Sequence, residues 1–189
     1  ADDGELQRTL ALLALFAFSL IAPPVFAHAI GGSDAQFVRN TVGADPFPFL
    51  YLGAKHMVTG YDHLLFLTGV IFFLSRLKDV LLFVTLFSLG HSTTLFLGVL
   101  FVFGVSAHLV DMVIGLSVSY KAFENLGGFR KIGFEIDNRL AVGGFGLVHG
   151  LGLATKLQDL GLNPDGLLPN LIAFNIGVEI GQLIALSLI

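Results

Sequence analysis

Apolar runs separated by short polar breaks dominate the chain, and their lengths predict membrane helices. Residues 10–22, "LALLALFAFSLIA", form the first run, closed by Pro23 and Pro24. A polar stretch over 28–46 reads as a loop, and 47–58 as a short mixed helix at the membrane interface. Residues 60–75 predict the next span; part of 50–59 must be added to reach the ~20 residues a span needs. Arg76, Lys78 and Asp79 mark a tight turn, and 80–103 predict a long apolar helix. A turn at 104–107 leads to a helix over 108–120 that runs on toward Asn125. The segment 121–139 holds Lys121, Glu124, Arg130, Lys131, Glu135, Asp137 and Arg139 and is the most charged part of the chain. Residues 140–156 and 167–189 predict two further spans on either side of the turn-rich "QDLGLNPDG". The expected fold is all-α: a polytopic membrane helix bundle with six spans.

The first run has a second reading. "VFA" at 25–27 is a small-residue site of the kind at which a secretory signal is cut, and cleavage would make His28 the mature N-terminus, leaving five spans. The acidic Asp2, Asp3 and Glu5 before the run favour a retained span. Residues 1–27 are therefore signal peptide or first helix, and 28–189 form the bundle. Loop charges orient it. With the N-terminus inside, Arg8, Arg76, Lys78, Lys121, Arg130, Lys131 and Arg139 fall on inside loops, whereas Arg39 and Lys156 fall outside. That asymmetry follows the positive-inside rule.

Composition agrees. Of 189 residues, 54% are hydrophobic and 13% charged, against roughly 25% charged in soluble domains. The mean hydropathy is +0.84. A net charge of −4 without a basic patch excludes nucleic acid as a partner; lipid is the expected surrounding. There are no cysteines, so disulfides and thiolate metal sites are excluded. Any metal must be held by nitrogen and oxygen.

The candidate chemistry lies in polar groups set inside apolar runs. Asn175, Glu179 and Gln182 follow i, i+4, i+7 spacing and share a predicted helical face. A lone charge at mid-span costs at least ~2.5–3.5 kcal/mol, so Glu179 is expected to be paired, hydrated or bound to a cation. His56 and His63 are seven apart, one face if their helix is continuous. Asp62 stands beside His63, where it can accept the second ring N–H and fix the tautomer. His91 lies mid-helix among Ser88, Ser92, Thr93 and Thr94. Asp111 sits near the outer end of its helix, and His149 lies between Gly146, Gly150 and Gly152. Imidazole with carboxylate suits borderline divalent ions such as Ni²⁺, Co²⁺ and Zn²⁺. His28 and His108 lie at ends or loops and are given no role.

Four blocks, "GYDHLLF", "LGHSTTL", "GLVHGLG" and "FNIGVEIGQ", resemble in order the signatures of the HupE/UreJ membrane proteins, over about residues 50–189. The resemblance implies a nickel or cobalt permease, not an enzyme, multi-pass in the inner (plasma) membrane of a bacterium. It places His56, Asp62, His63, His91, His149 and Glu179 in the family's polar motifs. Asp111 stands where that pattern leads one to expect Glu. No G-x-x-x-x-G-K-[ST] motif is present, so transport would be passive, secondary or driven by a partner. Two other readings stay open: a membrane-embedded metal hydrolase, and an accessory subunit of a larger membrane assembly or homo-oligomer.

Overall fold

A computed structural model describes residues 32–101, 104–134 and 136–188. The first apolar run and His28 lie outside the described residues. Every regular element described is helical: α1 (Gly32–Asn40), α2 (Pro46–Thr59), α3 (Tyr61–Ile71), α4 (Leu77–Phe101), α5 (Ala107–Asn125), α6 (Gly128–Lys131), α7 (Asn138–Asp159) and α8 (Leu167–Ser187).

Local chemistry explains the main boundaries. Pro46 opens α2, where its missing N–H costs nothing. Asp137 caps α7 by accepting a hydrogen bond from the Arg139 backbone N–H at 2.7 Å. Gly166 caps the start of α8 at φ 74°, a left-handed backbone that favours glycine. Its bare Cα also lies against the Gly43 backbone, so the α1–α2 loop seats directly on α8.

Among the described residues, three helices are long and apolar enough to cross a membrane by themselves: α4, α7 and α8, of 25, 22 and 21 residues. The other described segments differ for physical reasons. Helix α5 carries Asp111, Lys121 and Glu124 within 19 residues. The expected 60–75 span is interrupted at its start, because Gly60 adopts an extended backbone between α2 and α3. The 28–46 "loop" contains α1, with Asp34 in the first turn and Arg39 in the last, charges that suit its dipole.

Two helix pairs carry the packing, and in both the chains run in the same direction. On α8, Gly177 faces the backbone of Leu50 and Ala54, and Gly181 faces Ala54 further along α2. On α7, Gly146 lies against Phe87 and Gly150 against His91 of α4. Each is a small-xxx-small pair, which lets two backbones touch where lipid supplies no hydrophobic drive. Helix α5 packs on α3 and α7. Leu89, Leu97, Leu116, Ile176 and Leu183 remain exposed on the outer faces, as lipid-facing positions would be.

Candidate metal centre

Four helices meet at a group of imidazoles. His56 ends α2, His63 begins α3, His91 lies mid-α4 and His149 lies on α7. His63, His91 and His149 are fully buried, and His56 nearly so. Each of His56, His63 and His91 offers a ring nitrogen within 4.8 Å of the other two. Ring centroids lie 5.1 Å apart for His56–His63, 5.6 Å for His63–His91 and 6.4 Å for His56–His91. His149 adjoins His63 at 4.9 Å.

The helix break builds this geometry. The spacing puts His56 and His63 on one face only if their helix is continuous; the helix stops at Gly60, yet the rings still meet. A Cβ on Gly60 would stand 2.8 Å from His63 Nδ1 and 2.9 Å from the His56 carbonyl oxygen. A side chain there would drive His63 off its position. The Gly60 N–H still donates to the His56 carbonyl at 2.9 Å, so the break leaves α2 properly ended. Interrupted helices are a recurrent way of building ion sites within membranes.

Neighbours orient the rings. His149 Nδ1 lies 2.8 Å from the Phe145 carbonyl oxygen. A carbonyl only accepts, so the neutral ring carries its hydrogen on Nδ1 and turns the Nε2 lone pair outward. Asp62 Oδ1 stands 3.3 Å from His63 Nδ1. Phe87 packs against His63, His91 and His149 at 5.9, 6.3 and 5.1 Å. Phe66 adjoins His149 at 5.6 Å, and Phe174 adjoins His56 at 5.9 Å. The imidazoles therefore sit in an aromatic box. No residue of that box was singled out from the sequence. A signal was available: Phe66 is i+3 from His63, Phe87 is i−4 from His91, and Phe145 is i−4 from His149, the spacings that stack side chains along a helix.

Most of the remaining candidates have partners of their own. Asp111 Oδ1 accepts from Lys156 Nζ at 3.0 Å, linking α5 to α7. Lys156, expected in an outside loop, stands in the last turn of α7. Gln182 is buried, but its Oε1 accepts from Ser88 Oγ at 2.7 Å and ties α8 to α4. Asn175 is buried and donates to the Leu171 carbonyl at 3.0 Å. Glu179 departs from the expected shared stripe: it is exposed, among exposed Ile176, Ile180 and Leu183. Three residues of helix rotate Glu179 about 60° from Gln182, and the boundary between buried and outward faces falls in that gap. Lys121 is buried with Glu124 Oε2 at 2.9 Å, an ion pair outside the centre.

The family model described as HupE / UreJ protein matches residues 32–189. The chain belongs to the HupE/UreJ family. The match covers all eight described helices, and with three apolar helices of spanning length it makes this a membrane protein of a family connected with nickel and cobalt transport. Neither a curated protein nor a solved structure matches the chain.

Proposed function

We propose that this HupE/UreJ protein is a permease that binds a divalent transition-metal ion, Ni²⁺ first and Co²⁺ next, and passes it inward through the bundle. The observation that carries the reading is the convergence of His56, His63 and His91 nitrogens within 4.8 Å. Metal–imidazole bonds of ~2.1 Å bring neighbouring donors to roughly 3.3 Å in a tetrahedral site. Small ring rotations cover that difference. Cysteine is absent, and an all-nitrogen and oxygen donor set suits Ni²⁺, Co²⁺ or Zn²⁺ better than soft ions.

The residues divide the work. His56, His63 and His91 hold the ion. Asp62 orients His63, and the Phe145 carbonyl orients His149, which offers Nε2 as the next donor beside His63. Handing an ion between adjacent imidazoles keeps each step shallow, as conduction requires. The aromatic box keeps competing water away, which weighs against the hydrolase reading, because that chemistry needs a water beside the metal.

The parallel pairs support a five-span layout after residue 28. If α2–α3, α4, α5, α7 and α8 cross in turn, α2 and α8 must point the same way, and so must α4 and α7. The packing has that parity. The run at 10–22 adds a sixth span where it is retained. On the positive-inside rule we read the α7–α8 loop as facing outward, with the protein in the inner membrane of a bacterium.

Purified protein in liposomes with a Ni²⁺-sensitive dye trapped inside tests the proposal. Wild type should carry Ni²⁺ inward, and His63→Ala should not. Equal uptake by both would contradict it.

A further inference from the structure

A narrow cleft runs inward from the α7–α8 loop to Phe174. Its mouth is at the exposed Asp165 and the half-buried Asn163, and its floor is the buried Leu157, Leu171 and Phe174. Val38 of α1 and Thr41, just past its end, form one wall. Phe174 lines this cleft, and its ring lies 5.9 Å from the His56 ring.

The walls are built rather than accidental. Asn170, in the first turn of α8, accepts from the Asp45 N–H at 2.7 Å and donates to the Gly43 carbonyl at 3.0 Å. This fastens the α1–α2 loop to α8 on one side of the cleft. Helix α1 is then held over it by the Asp34–Lys55 ion pair at 2.7 Å and by Phe37 against Phe49 at 6.0 Å. Lys55 is the residue next to His56.

We propose that this cleft is the outer access route of the ion and that Phe174 is its inner gate, separating the water side from His56. The assignment rests on the reading of His56, His63 and His91 as the ion's site. The cleft's volume is about 10 Å³. That is room for about one water, so a hydrated divalent ion does not pass in this state. Passage requires α1 to lift and the Phe174 ring to turn aside. Loss of hydration water would then occur beside Asn163 and Thr41, the polar groups lining the outer part of the cleft.

The chain has no cysteine, so single thiols report cleanly. Leu162→Cys and Thr41→Cys place a thiol in the cleft wall, and Leu168→Cys places one on the exposed start of α8 outside it. Each variant is reconstituted and treated with a bulky methanethiosulfonate, and Ni²⁺ uptake is compared with its own untreated sample. Ni²⁺ binding by the same detergent-purified protein is measured alongside. Modification in the cleft should abolish uptake and slow Ni²⁺ binding without changing the amount bound at equilibrium. Modification at Leu168→Cys should change neither. Phe174→Ala should speed Ni²⁺ binding at the same final occupancy. Unchanged uptake after complete modification of both cleft thiols would overturn the route while leaving the imidazole site standing. Wild type that binds no Ni²⁺ would overturn the site, and the route with it.

Discussion

The imidazole rings of His63 and His149 lie 4.9 Å apart, although one begins α3 and the other sits deep in α7. Each has its Nδ1 beside an oxygen: Asp62 Oδ1 at 3.3 Å for His63 and the Phe145 carbonyl at 2.8 Å for His149. His63 also belongs, with His56 and His91, to the group whose ring nitrogens lie within 4.8 Å of one another. Helix packing alone has no need of that arrangement.

Replacing a ligand should empty the site. His63→Ala and His91→Ala should each lose bound Ni²⁺ after gel filtration, measured by elemental analysis. His108→Ala, on the exposed start of α5, should keep the wild-type content. Metal retained by both of the first two variants would show that the imidazoles serve packing instead.

Orientation should matter less than ligation but measurably. Asp62→Asn leaves every imidazole in place and weakens the hold on His63, and such changes cost about 10–100-fold in metal affinity. Asp111→Asn should leave affinity unchanged, because Asp111 is engaged with Lys156. Calorimetric titration of both variants with Ni²⁺ separates the two carboxylates.

Two glycines on one helix should respond in opposite directions. A Cβ on Gly150 would collide with the His91 carbonyl, whereas one on Gly144 meets nothing within 4 Å. Gly150→Ala should destabilise the protein by about 1–3 kcal/mol, as overpacked sites do, and disturb metal binding without altering a ligand. Gly144→Ala should be neutral or stabilising by about 0.5–1 kcal/mol. Thermal unfolding in detergent reads both.

The Ser88–Gln182 bond should contribute to stability rather than to ligation. Gln182→Leu removes a buried interhelical hydrogen bond worth about 1 kcal/mol. Its Ni²⁺ content should match wild type while its melting temperature falls. Lost Ni²⁺ at unchanged stability would assign Gln182 to the ion instead.

The histidines were legible in the sequence because an imidazole inside an apolar run has few uses, and the long apolar helices were legible from length alone. Other features were not. The boundary at Gly60 was legible as the division between the 47–58 helix and the 60–75 span, but not that the two helices part there, α2 packing to α8 and α3 to α5. Helix α1 was read as loop because "GSDAQFVRN" is polar overall; its Val38 is buried by tertiary contact. Periodicity put Glu179 with Asn175 and Gln182, but a face spans a range of angles and the burial boundary crosses it. Ionic partners such as Lys156 for Asp111 are long-range pairings that spacing does not encode.

The claim on which the rest depends is tested most directly by X-ray absorption at the nickel edge of the Ni²⁺-loaded protein. Wild type should show the multiple scattering of imidazole rings, fitted by His56, His63 and His91, and the signal should vanish in the variant with all three changed to Ala. A spectrum of oxygen ligands without imidazole scattering, or one identical in that triple variant, would contradict it.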